Sequence, residues 1–114
     1  MIIAVIPQTA VETLLNNLKE ADWSLADVSV VMADQKLRDA IADDAGPLKG
    51  ATPANLLSKL TSAGLSPHDA QGYLDSVAQG RTVVAMNASK DSEQAAVEMF
   101  QDYDPQYLKV TGKS

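Results

Sequence analysis

Few residues in this chain of 114 have the types and spacing that catalysis requires. His68 is the only histidine, and it lies beside Asp69 at the start of a predicted helix. A metal site or a catalytic dyad needs further ligands or a nucleophile aligned with such a histidine, and the sequence shows none. The absence of cysteine excludes disulfides, thiolate catalysis and cysteine-ligated metal centres. We therefore predict no catalytic residue, no cofactor and no metal site.

Three short segments match ligand-binding motifs only in part. Asp43-Asp44 and the segment 102–104 lack the alternating ligands, the glycine and the closing glutamate of a calcium loop. The segment 46–52 has glycines and a lysine, but its spacing is not that of a phosphate loop, it follows a predicted helix, and Pro47 has no amide hydrogen. We interpret the two acidic segments as solvated surface, and we reject a phosphate loop at 46–52.

The overall charge argues against several classes of partner. Nine basic and 15 acidic side chains give a net charge of −6, whereas nucleic acids and anionic membrane surfaces bind basic patches. No apolar stretch reaches the roughly 18 residues that a membrane span needs. We expect a cytoplasmic protein that binds neither nucleic acid nor membrane.

Hydrophobic patterning predicts the elements that must position any site. Apolar or β-branched runs predict strands near 2–6, 27–32 and 82–86, and alternation predicts an edge strand over 106–110. Apolar residues at helical spacing predict helices between them, and Thr9 with Glu12 has the pattern of a capping box at the first helix start.

The order of these elements predicts the fold. A strand–helix–strand unit over 2–32 is repeated over 82–110, on either side of a helical segment over 34–79, within one domain of residues 1–114. Two such units with right-handed crossovers interleave into a four-stranded antiparallel sheet. We predict an α+β, ferredoxin-like split βαβ sandwich with a helical insertion between strands 2 and 3. The first and third strands would occupy the centre.

The two predicted central strands are apolar at every position from Ile2 to Ile6 and from Val83 to Met86. A sheet with one wet face would alternate instead. The second face must therefore be covered, either by the helices of the insertion or by a second subunit.

One end of the predicted sheet is a candidate ligand site. It gathers polar residues from several connections, namely Gln8, Thr9, Asp34, Arg81, Tyr103 and Asp104. A helix N-terminus beside an arginine can hold a small anion. The alternative is a capped helix start with charges that close loops.

Several segments together resemble a known family. These are the segment 64–70 with Tyr73, Leu74, Val77 and Gly80, the strand 82–85, and Asp22-Trp23 followed by 27–31. The pattern is similar to that of the general stress protein, or heat-induced stress protein, domain of small and mostly uncharacterised bacterial proteins. The resemblance implies this fold and a soluble, stress-related bacterial protein, and it implies no catalytic residues. Members often carry a glycine-rich insert where this chain has polar, capped helices over 34–63. Any role that the insert has in the family is therefore not expected of this chain.

These observations favour a non-enzymatic interaction or assembly module, self-associating as a homodimer. The alternative is a small-ligand-binding regulatory sensor with its site at the Thr9 and Arg81 end of the sheet. An enzyme is the third interpretation, because no nucleophile, metal cluster or phosphate loop is evident.

Overall fold

The computed structural model describes residues 1–111, and it is α+β with a four-stranded antiparallel sheet and five α-helices. The elements in chain order are β1 (Ile2–Ile6), α1 (Val11–Glu20), β2 (Val28–Val31), α2 (Gln35–Ile41), α3 (Leu56–Ser62), α4 (Pro67–Ala78), β3 (Thr82–Met86), α5 (Glu93–Gln101) and β4 (Gln106–Val110). The α+β class is as predicted, and α2, α3 and α4 fall within the predicted helical insertion.

The strands lie in the order β2-β3-β1-β4. In the antiparallel register Val5 lies opposite Val83, and Val31 lies opposite the same residue on the other side. The two most apolar strands, β1 and β3, therefore occupy the central positions, as their composition indicates.

Each face of the sheet packs against its own helices, because successive side chains of a strand point to opposite faces. On one face, Ile2, Ala4 and Ile6 pack with residues of α1 and α5. On the other face, Ile3 and Val5 pack with residues of α3 and α4. The sequence left two alternatives for covering the second face, the helices of the insertion or a second subunit. In the structure the helices of the insertion cover it.

The predicted capping box at the start of α1 is wrong. Thr9 lies inside a turn of 3-10 helix, Gln8–Ala10, and the helix starts at Val11 with no side-chain cap. The helical turn places Thr9 before the N-cap position instead of at it. The start of α4 does carry a cap, because the Ser66 hydroxyl accepts a hydrogen bond from the Asp69 amide at 3.2 Å.

The β2 edge of the sheet is covered by the loop that follows α2. Gly46 has a φ of +80° and donates a hydrogen bond from its amide to the Ala26 carbonyl at 3.0 Å. The Ser29 hydroxyl donates to the Ala45 carbonyl at 2.6 Å and accepts from the Leu48 amide at 2.7 Å. All four residues of β2 are buried.

Candidate functional site

The opposite edge of the sheet, β4, is open to solvent. Four of its five residues are exposed, and only Leu108 is half-buried. Tyr107 and Val110 are 57% and 40% exposed, and within residues 1–111 Leu57 is the one other large hydrophobic side chain in this class. Two of these three exposed hydrophobic side chains thus lie on β4.

The backbone of β4 directs hydrogen-bonding groups outward. Beyond the end of the strand, the Thr111 amide donates to the Met1 carbonyl at 2.8 Å, and the Met1 ammonium donates to the Thr111 carbonyl at 3.2 Å. In an antiparallel ladder, pairs that exchange hydrogen bonds alternate with pairs whose N–H and C=O groups point away from each other. Met1 and Thr111 exchange hydrogen bonds, so the next pair, Ile2 and Val110, does not. Val110 therefore directs its N–H and C=O away from β1, and Leu108 directs its C=O the same way.

A bulge interrupts β4 at Tyr107. The register runs from Ile3 opposite Lys109 to Val5 opposite Gln106, so β4 has one extra residue there. Tyr107 takes a left-handed conformation with a φ of +53°, which is uncommon for a residue other than glycine.

Helix α4 holds this bulge in place. The Tyr73 hydroxyl donates a hydrogen bond to the Tyr107 carbonyl oxygen, and the two rings meet edge to face with centroids 5.9 Å apart. Burial raises the pKa of Tyr73, with a smaller contribution from the charge of Asp69, so the hydroxyl remains a donor. A Cβ atom at Gly72 would lie 3.8 Å from the Tyr107 ring, so the ring lies directly over the helix backbone at this glycine.

An ion pair joins the same two elements. Lys109 Nζ lies 2.6 Å from Asp69 Oδ2, and both side chains are partly exposed. The hydrogen bond from Lys109 lowers the pKa of Asp69, and the positive charge of Lys109 and the Ser66 hydroxyl add to this effect. Lys109 is thereby neutralised by a residue of its own chain.

Between α4 and β4 runs a shallow cavity of about 250 Å³, which we call the α4–β4 groove. Its lining residues are His68, Asp69, Gln71, Gly72, Asp75 and Tyr107. A second cavity of about 600 Å³ adjoins it near the end of β4 and also contacts Asp69 and Lys109. The sequence predicts no catalytic or metal-binding role for His68, and the structure places it among the residues that line this groove.

The predicted ligand end is brought together only in part. Gln8 and Thr9 follow β1 and line a cavity of about 170 Å³ with Glu12, Leu37 and Ile41. The register places Ile6 opposite Thr82, which puts Arg81 at the same end of the sheet. Arg81, Asp34 and Tyr103 are not among the residues that line the cavity.

Two of the predicted ligand residues have structural partners. The Asp34 carboxylate accepts a hydrogen bond from the Leu37 amide at 3.0 Å and thereby caps α2. The Tyr103 hydroxyl accepts a hydrogen bond from the Asn17 amide group of α1. These contacts agree with the alternative interpretation of helix caps and loop closure for these two residues.

Within residues 1–111, no three acidic or histidine side chains are grouped so that they could hold a metal ion. Over the same range, no helix has the length and apolarity to cross a membrane.

No family model, curated protein or solved structure matches this chain. The resemblance to the general stress protein domain therefore stays a prediction from the sequence pattern.

Proposed function

We propose that this protein is a non-enzymatic interaction or assembly module that binds its partner along the open edge of β4. The observation that carries the proposal is the difference between the two sheet edges. The loop at Gly46 contacts β2, whose four residues are all buried, whereas four of the five residues of β4 are exposed. An open edge of this kind pairs readily with an extended segment of another chain.

Self-association is one form that such a module takes. The prediction of a homodimer depended on an apolar sheet face that needed cover, and α3 and α4 now supply that cover. If two copies associate, the exposed β4 edge is the surface on which we expect them to pair. Self-association, a stress-related role and a cytoplasmic location stay predictions.

Native mass spectrometry over a range of protein concentrations tests the self-associating form. The edge variant is Val110→Pro, which removes an outward N–H without removing a hydrogen bond to β1. Its matched control is Val110→Thr, which keeps the N–H. A dimer that is lost in Val110→Pro and kept in Val110→Thr supports edge pairing. A dimer of equal strength in both variants contradicts it, and a monomer at every concentration contradicts self-association.

The alternative function is a small-ligand-binding sensor. It is favoured by the small cavity at Gln8 and Thr9, at the sheet end that also carries Arg81. A rise in melting temperature with one class of small anion, lost in Arg81→Gln, would favour this function over the interaction module.

We also infer that the sheet and its helices form the predicted ferredoxin-like split βαβ arrangement. The central placement of β1 and β3 supports it, as does the packing of α1 and α5 on one common face of the sheet.

A further inference from the structure

We propose that the partner segment of β4 is an extended, positively charged chain from another protein, with a lysine or arginine side chain lying on the Tyr107 ring in the α4–β4 groove. This inference rests on the proposed function, since it names the partner that the open edge binds.

The outward backbone groups of β4 require a partner segment that is extended like a β-strand. The N–H and C=O of Val110 and the C=O of Leu108 point away from β1, so an added strand finds both donors and acceptors there. Lys109 lies opposite Ile3, which packs on the α4 face. Alternate side chains of an added strand would project to that face, beside Tyr107 and the groove.

The charge of the groove selects a basic partner. Asp69 and Asp75 both line it, and Lys109 is paired with Asp69. Asp102 and Asp104 precede β4 in the chain, and the whole protein has a net charge of −6. This field attracts a segment that carries lysine or arginine and repels an acidic one.

The Tyr107 ring provides a contact for the cation. More than half of this residue is exposed, while its ring is held over Gly72 and against the Tyr73 ring. A guanidinium or ammonium group within about 6 Å of such a ring is attracted to its face. The bulge at Tyr107 and the hydrogen bond from Tyr73 fix the ring before a partner arrives.

A second copy of this chain fits the backbone but not the charge. A symmetric antiparallel pairing of Val110 with Leu108 suits the backbone, but each copy carries a net charge of −6, so two copies repel each other. A basic partner is attracted instead.

The test is an NMR titration of the isotope-labelled full chain with two capped peptides, one of alternating threonine and arginine and one of alternating threonine and glutamate. About 0.15 M salt screens long-range attraction. We expect the arginine peptide to shift amide resonances in 106–111 and 68–75 and the glutamate peptide to leave them unchanged.

Variants assign the contacts. Tyr107→Asn keeps a residue that tolerates the left-handed backbone, and we expect it to weaken binding of the arginine peptide roughly two- to fivefold. Val110→Pro should abolish binding. Leu57→Ala removes a comparably exposed hydrophobic residue on α3 and should leave binding unchanged.

The outcomes separate this inference from the proposed function. Equal binding of both peptides that is lost in Val110→Pro overturns the basic partner and leaves edge binding intact. Binding of the arginine peptide that persists unchanged in Val110→Pro overturns the inference as non-specific attraction. Shifts of β4 resonances with protein concentration alone indicate a second copy and overturn the basic partner. No shift in any of these titrations contradicts both the inference and the proposed function.

Discussion

The Tyr73 hydroxyl donates its hydrogen bond to the Tyr107 backbone carbonyl, across 34 positions of sequence. The donor lies on α4, which packs against one face of the sheet, and the acceptor belongs to a left-handed residue on the open edge. This one contact therefore joins the helical insertion to the shape of the candidate interaction surface.

We expect Tyr73→Phe to lower the free energy of unfolding by about 1 kcal/mol, because the carbonyl of Tyr107 loses its donor. Urea denaturation measures the loss. Tyr107→Phe is the matched control, since the Tyr107 side chain is exposed and its hydroxyl makes no hydrogen bond within residues 1–111. Equal losses in the two variants would mean that the hydrogen bond does not stabilise the fold.

The ion pair between Lys109 and Asp69 gives a prediction for pH dependence. The folded pKa of Asp69 lies below its ordinary value of 3.8. Its contribution to stability is therefore present above that value and is lost as pH falls through the lower, folded pKa. An NMR titration of the Asp69 carboxyl should show the low pKa in the native protein.

Lys109→Met should raise the pKa of Asp69 towards its ordinary value, because the variant removes both the hydrogen bond and the positive charge. Lys59→Met is the control, since Lys59 donates its hydrogen bond to the Lys49 carbonyl instead of to a carboxylate. An unchanged pKa in Lys109→Met would show that the ion pair does not form in solution.

Gly46 supports the closed edge of the sheet, and we expect Gly46→Ala to destabilise the protein by about 2 to 4 kcal/mol. The new Cβ atom would lie 2.6 Å from the Ser29 nitrogen, at a φ of +80°. Gly80→Ala is the control, because Gly80 has a φ of +88° and a Cβ atom added there would meet no atom within 4 Å. Thermal unfolding of the two variants separates the clash from the backbone strain, and equal losses would refute the close contact at β2.

Thr82 has a buried hydroxyl without a hydrogen-bond partner in the part of the chain that the structure describes. Thr82→Val keeps the shape and removes the unpaired oxygen, so we expect the free energy of unfolding to rise by about 1 kcal/mol. Thr82→Ser keeps the oxygen and removes a methyl group, so it should be less stable than the native chain. A loss of stability in Thr82→Val would show that the hydroxyl has a partner in solution.

The strands of this fold were predictable because their signals are local. The apolar runs at Ile2–Ile6 and Thr82–Met86 indicate burial on both faces, and central positions follow from that. The capping box failed because Thr9 and Glu12 match a local pattern that the 3-10 turn after Pro7 displaces.

The candidate surface was less predictable because non-local contacts create it. Alternation over 106–110 indicates an edge strand, but nothing near Tyr107 in sequence signals a left-handed residue there. The Tyr107 carbonyl accepts a hydrogen bond from Tyr73 of α4, and Gly46 packs against the backbone of the opposite edge strand. Contacts of this kind require the folded arrangement.

The central position of β1 also has a consequence for how the protein folds. Both strands that pair with β1 come from the last third of the sequence, β3 at Thr82–Met86 and β4 at Gln106–Val110. Pairing over such separations slows folding. During synthesis Ile2–Ile6 leaves the ribosome long before its partners, as a short run of β-forming residues without a charge. Until those partners emerge, this segment is exposed to aggregation and to capture by chaperones.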